Sequence, residues 1–265
     1  MNRERLCVVM PVYNGQAAIC GVLEKWATVL NSLGIDYLIR PYDDGSKDGS
    51  LCLMQKFAAE HPQYKIDVRS KANGGHGHTI LTGYRQAIED GFDWIFQIDS
   101  DDEMGPEHFE DLWSRRESRD FLVGRRAGRS QALPRRIVSF VSRMVVRLFY
   151  GASLVWDVNA PYRLMRVSAL TQVFLSIPLE TFAPNVIVTG MVARLGLPAM
   201  EFPVPQHDRT TGEVSIRRWK LLKAAVRSLV QTVLYSLKAN GRGGSSRIAC
   251  ALLAALPAFV LFVLT

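Results

Sequence analysis

Trp94-Ile95-Phe96-Gln97-Ile98-Asp99-Ser100-Asp101-Asp102-Glu103 decides how this chain is read. An apolar run of strand length ends in four acids within five residues. Carboxylates at i and i+2, just past a strand, can turn toward one cation where the backbone bends. A hard divalent ion takes oxygen ligands and keeps waters or phosphate oxygens in its shell. Without a cation or basic groups nearby, four such acids repel one another. A solvated acidic loop gives the same triplet, so this D-x-D is weak when read alone.

Toward the N-terminus, strand and helix alternate. Leu6 to Val12, Asp36 to Tyr42 and Lys65 to Arg69 read as strands, with Trp94 to Ile98 as the fourth. Helical spacing runs from Ala17 to Leu33 and from about Asp48 to Glu60. A third helix follows the Asn73-Gly74-Gly75-His76-Gly77 loop and ends near Asp90. The connections leave no room for hairpins. The pattern predicts an α/β fold with a mostly parallel, Rossmann-like sheet flanked by helices. Such sheets bind ligands beyond the carboxyl ends of their strands. Asp43-Asp44 and Asp99 to Asp102 fall at two such ends. Beyond Asp102 the pattern loosens. Pro106 to Arg116 reads as a helix, and Phe121 to Gly124 and Ala199 to Val204 as strands. Asp157 to Leu164 is short and mixed.

The chain has 265 residues, 48% apolar and 22% charged, which excludes a disordered or fibrous protein. Its net charge of +7 hides a split. Residues 1–110 carry 10 basic and 17 acidic side chains; residues 111–265 carry 22 and 8. The second half is suited to an anionic partner such as phosphate, nucleic acid or a membrane surface. No recognisable nucleic-acid module occurs, so nucleic acid is not expected. No G-x-G-x-x-G follows the first strand and no P-loop is present, which argues against a dehydrogenase or a P-loop enzyme. Cys7, Cys20, Cys52 and Cys250 form no C-x-x-C pair, so reduced thiols are expected. Only about five apolar residues follow the charged N-terminus, and no leader peptide is expected.

Four motifs in order now carry a resemblance. Val8 to Asn14, Asp43 to Ser50, Asn73-Gly74-Gly75 and Asp99-Ser100-Asp101 are similar to family 2 glycosyltransferases of GT-A fold, over roughly residues 6–220. The subgroup most similar in appearance is the polyprenyl-phosphate sugar transferases, such as dolichol-phosphate mannose synthases. The resemblance implies a UDP- or GDP-sugar donor, a polyprenyl phosphate acceptor and Mg²⁺ or Mn²⁺. It implies that Pro11, Tyr13, Asn14, Asp43, Asp44, Asn73 and Ser100 bind the donor. Asp99 and Asp101 would serve the metal and the diphosphate. Glu103 would join the metal, standing where the subgroup usually has Gln. Arg125, Arg163, Arg209 and Ser215 would hold the acceptor phosphate, with Arg125 and Arg209 acting in catalysis. Gly15-Gln16 replace acids common in the subgroup, and His76 and His78 replace a Lys or Leu; either histidine serves a phosphate or simply packs the loop. Two other readings stay open: transfer to a hydroxyl of a glycan or lipid, and a non-catalytic nucleotide-binding membrane protein. A hydroxyl acceptor needs a base, and Phe182-Ala183-Pro184-Asn185 offers no carboxylate, although Glu180 and Asp157 are near in sequence.

The layout then divides into a catalytic domain (1–216), a basic amphipathic interface helix (217–240), a hinge (241–247) and an anchor (248–265). Pro134 to Tyr150 has the same basic amphipathic flavour as the interface helix. Ile248 to Leu264 is uncharged and, at ~1.5 Å per residue, about 25 Å long as a helix, the short end of a membrane span. Arg242 and Arg247 before it favour a catalytic domain on the cytoplasmic face. A hairpin arm, or a helix buried against a second subunit in a homo-oligomer, is the alternative.

Overall fold

The computed structural model describes residues 4–127, 133–151, 154–207 and 218–239. Seven strands form one mixed sheet: β1 (Arg5–Val12), β2 (Asp36–Asp43), β3 (Arg69–Ser70), β4 (Trp94–Gln97), β5 (Phe121–Ala127), β6 (Arg163–Arg166) and β7 (Ala199–Pro205). Their order is β3-β2-β1-β4-β6-β5-β7. Only β6 runs antiparallel to its neighbours, β4 and β5. The expected mostly parallel sheet is therefore found. The helices are α1 (Ile19–Ser32), α2 (Ser50–Glu60), α3 (His76–Glu89), α4 (Phe109–Ser114), α5 (Leu133–Tyr150), α6 (Val167–Ser176), α7 (Pro184–Leu195) and α8 (Arg218–Ala239).

β1 is the spine, buried from Leu6 to Val12. Its side chains alternate between two cores, as the period of a strand requires. Leu6, Val8, Met10 and Val12 meet α1 through Val22, Leu23 and Trp26. Cys7 and Val9 meet α3 through Ile80, Leu81 and Tyr84. Trp26, Phe96, Phe109 and Tyr162 knit the first core, with ring centroids 4.9–5.9 Å apart. Burial pushes the Cys7 thiol up to about 12, so it stays protonated.

The third strand departs from its expected span, Lys65 to Arg69. Ile66 makes an isolated bridge to Ile39, and the ladder resumes only at Arg69–Ser70. Pro41 explains the gap. Ile39 uses its N–H and C=O toward Lys65 and Asp67, and Asp43 accepts from Lys71 N–H. Pro41 lies between them on the same side and has no N–H to give.

α3 approaches β1 closely because residue 83 has no side chain. A Cβ at Gly83 would lie 2.4 Å from Val9 Cγ1 and 3.0 Å from Tyr42 Cε2. Gly83→Ala gains about 1 kcal/mol of helix propensity but overpacks a rigid contact, which costs about 1–3 kcal/mol. Calorimetry should show a lowered Tm, by about 2–4 °C for each kcal/mol lost. A raised Tm would mean that α3 shifts away from β1 freely.

Candidate active site

The carboxyl ends of β1, β2 and β4 gather the first motifs. Asp44 follows β2 and is 4% exposed. Its carboxylate accepts the N–H groups of Gly74 and Gly75, both at 2.8 Å, and pairs with the Lys71 ammonium. Asn73 Nδ2 donates to the Asp44 carbonyl at 2.8 Å. Asp44 is therefore committed to fixing the 71–75 loop, a role beyond its expected place in donor binding. Asp43 accepts more weakly, from Ser46 N–H at 3.3 Å and Ser70 Oγ at 3.4 Å. Asn14 adopts φ 51°, a left-handed conformation that asparagine tolerates. Its Oδ1 accepts Lys47 N–H at 2.9 Å, and its own N–H donates to Ser46 Oγ. Pro11 is buried beneath this turn, and Tyr13 is 48% exposed above it.

The loop fixed by Asp44 starts α3. His76 Nε2 lies 3.0 Å from Asp99 Oδ1, and the imidazole keeps half its surface open. Desolvation works against charging the ring, but Asp99, Asp101 and Asp44 outweigh it and hold its pKa above the usual histidine value. Desolvation likewise works against Asp99, but His76, Arg126 and Arg163 hold it below the usual carboxylate range. Ser100 is half-buried between the two acids. Asp101 Oδ1 accepts Glu103 N–H at 3.3 Å, and Asp102 pairs with Lys25 of α1 at 2.5 Å. Glu103, expected as a metal ligand, accepts a hydrogen bond from Gln206 Nε2 at the end of β7.

A cleft of about 290 Å³ opens beside Asp99. His76, His78, Arg126, Asn159 and residues 180–185 line it. Gly77 lets these walls meet: a Cβ there would lie 2.1 Å from the Thr181 carbonyl oxygen.

The arginines sort differently from the expectation. Alternation along β5 separates Arg125 from Arg126. Arg125 is 45% exposed on its side chain and lies 3.9 Å from Glu201, outside the cleft lining. Arg126 lines the cleft and grips Asp157 through two hydrogen bonds of 2.8 and 2.9 Å. Arg163 is fully buried and reaches no ligand surface. Its guanidinium donates to the carbonyls of Ala160 and Asn185, bracing two walls of the cleft. Burial pushes its pKa down to about 10. This corrects its expected role as a phosphate contact. Arg209 and Ser215 lie outside the described residues, as do the hinge and the 248–265 anchor. Arg126, Asn159 and Arg227 also line the cleft, and none of them is among the expected site residues. The alternation of β5 was the available signal for Arg126; nothing local marks the other two.

Among the described residues, no group of three or more His, Cys, Asp or Glu side chains converges as a metal site. Two carboxylates suffice for a hard ion that completes its shell with diphosphate and water. Asp99 and Asp101 fit that donor set by their chemistry. Among the described residues, no helix is long and apolar enough to cross a membrane.

Residues 7–174 match the family model for glycosyl transferase family 2. The chain belongs to that family. This family 2 glycosyltransferase is 26% identical over 235 residues to an undecaprenyl-phosphate mannosyltransferase of Micrococcus luteus, covering 82% of this chain and 94% of that one. It is 27% identical over 211 residues to an undecaprenyl-phosphate 4-deoxy-4-formamido-L-arabinose transferase of Salmonella typhimurium. That match covers 79% of this chain and 62% of the relative's length. Two solved structures share the fold. A mannosyltransferase of Pyrobaculum calidifontis, in complex with GDP-Man and Mn²⁺, superposes with a TM-score of 0.58 at 18% identity, covering 98% of this chain and 81% of that one. A glucosyl-3-phosphoglycerate synthase of Mycobacterium tuberculosis gives 0.63 at 16% identity, covering 88% and 80%.

The loop clamp has a consequence in acid. Burial would raise the Asp44 pKa, but Lys71 and the Gly74 N–H outweigh it and hold it below the ordinary value. Its stabilising contribution is therefore full above the unfolded aspartate pKa of about 3.9 and is lost as pH falls through the lower folded value. Asp44→Asn should flatten the acid limb of a Tm-against-pH curve. An unaltered limb would assign that limb to other carboxylates.

Proposed function

We propose that this glycosyltransferase moves a sugar, with inversion, from a nucleoside-diphosphate sugar to a polyprenyl phosphate at a membrane surface, using a divalent cation. The observation that carries the proposal is the cleft, where Asp99 and Arg126 share a pocket with an apolar wall at Phe182 and Pro184. A phosphate on a hydrocarbon tail needs both kinds of surface. Two relatives named for undecaprenyl-phosphate transfer support the same acceptor.

In this reading Pro11, Tyr13, Asn14, Asp43, Asn73 and Ser100 hold the donor, with Asp44 shaping their loop. Asp99 and Asp101 would hold the cation, which would supply positive charge to the leaving diphosphate. Arg126, fixed by Asp157, adds a preorganised cation beside Asp99. Arg209 and Ser215 remain candidates for the acceptor phosphate. An acceptor oxygen attacks the anomeric carbon from the face opposite the diphosphate. The bond from that carbon to the diphosphate oxygen breaks, and its electron pair leaves with the nucleotide. A phosphate acceptor is already ionised near neutral pH, with a second pKa of about 6, and needs no base.

A hydroxyl acceptor is the second reading, favoured by one observation: Glu180 lines the cleft. One assay separates the two. Membranes carrying the protein, undecaprenyl phosphate and a panel of UDP- and GDP-sugars should yield a glycosylated lipid, lost with EDTA and in Asp101→Ala. Glu180→Gln should keep kcat within a few-fold on a phosphate acceptor. A fall of about 10²–10⁴ would mark Glu180 as a general base and move the acceptor to a hydroxyl.

The membrane part of the proposal rests on α5. Its outward stripe carries Phe140, Met144 and Leu148, 55%, 37% and 57% exposed, continuing to Leu154 and Trp156. Arg143 stacks over Trp156 at 3.5 Å, with Arg147 at 5.5 Å. The opposite side, with Val146, Phe149 and Tyr150, packs on α7 and α8 through Val186 and Val233. An apolar outward face flanked by arginines suits an anionic bilayer surface. A chain lacking residues 248–265 should still sediment with anionic vesicles at low salt. Phe140→Glu combined with Leu148→Glu should abolish that binding without changing Tm. Retained binding would remove α5 from the contact.

A further inference from the structure

The cleft has a second cation that the donor chemistry leaves unused. Arg227, on the exposed side of α8, reaches its rim beside Glu180, Thr181 and Phe182. Among the described residues its one hydrogen bond runs from Nη2 to the Glu180 carbonyl, at 3.2 Å. A guanidinium has five N–H donors in a fixed fork, and among the described residues only one nitrogen of this one is engaged. Arg126, by contrast, is held by two hydrogen bonds to Asp157 beside Asp99, where the proposed mechanism assigns it to the leaving diphosphate. The residues that open α3 and α7, His76 to His78 and Pro184 to Asn185, line the same cleft. Two helix N-termini therefore add positive potential to it. Two acids oppose them: Asp99, engaged with His76, and Glu180 at the rim. Phe182, Ala183 and Pro184 line the same cleft, with Phe182 39% exposed.

The geometry points to Arg227 as the seat of a phosphoryl group on an amphiphilic acceptor, with Phe182 and Pro184 against its first hydrocarbon units. This inference rests on the lipid-phosphate reading given above and adds its residues. α8 lies beyond residues 7–174, so an element outside the family match would select the acceptor. A fork at the rim suits the task. It takes a phosphate bidentately while the tail stays in the apolar phase beside α5 and α8.

The test uses the full chain in detergent micelles and farnesyl phosphate as a short acceptor, with a nucleotide-sugar that supports transfer. Arg227→Gln should raise the KM for farnesyl phosphate about tenfold or more, the size of a lost charge-assisted hydrogen bond. Donor affinity, read by direct titration with the nucleoside diphosphate, should change by less than twofold. Arg227→Lys should recover part of the loss. Lys223→Gln, one turn earlier on α8, should leave the KM unchanged and so exclude general electrostatics. Inorganic phosphate should compete far more weakly than farnesyl phosphate. Equal competition would overturn the role of the apolar wall and leave a plain phosphate site. If the wild type labels farnesyl phosphate but Arg227→Gln leaves its KM unaltered, the inference falls and the lipid-phosphate reading stands. If the wild type labels no prenyl phosphate at all, that reading falls and takes this one with it.

Discussion

One carboxylate holds the catalytic face in shape. Asp44 accepts two consecutive backbone N–H groups from the 74–75 turn and pairs with Lys71 in the same loop. A buried acid stays ionised only where such donors replace its lost water. The turn in turn sets where α3 begins. From that start, His76 meets Asp99 and Gly77 seats the first turn against the carbonyls of Thr181 and Phe182. The 71–75 loop, the His76–Asp99 contact and the seat of α3 against residues 181–182 are thus tied to one buried charge.

How far the sequence told this story depended on how local each cause was. β1, β2 and β4 announced themselves through apolar runs ending at Asn14, Asp43 and Asp99, and the family resemblance rested on those same ends. The third strand was misread because Pro41, a residue of its neighbour, removes the donor it needed. β6 has four residues and runs antiparallel, so no periodicity could separate it from a loop. Arg163 looked like a phosphate ligand in its motif. Only the fold shows that both its partners are backbone carbonyls across a buried gap. Arg125 and Arg126 are adjacent in sequence, and strand alternation alone decides which one meets the cleft.

The charge asymmetry finds its meaning in the same geometry. The acidic first half supplies the strand ends at Asp43-Asp44 and Asp99 to Asp102, to which the proposal assigns the cation and the sugar nucleotide. The basic second half supplies α5 and α8, with Arg126, Arg143, Arg147 and Arg227 near the cleft or the outward apolar stripe. The proposal places the acceptor in the second half, where sequence patterns are looser and side-chain placement decides.

The spine strand also carries a chemical clock. Cys7 sits at the centre of β1 with no exposed surface, and its raised pKa keeps it in the unreactive thiol form. Cys52, on the outer side of α2, is exposed. Of the four cysteines, these two meet an alkylating reagent on very different schedules. Cys52 reacts at the rate of the reagent, whereas Cys7 waits for the sheet itself to open. The ratio of the two labelling rates measures how often this enzyme breathes at its core.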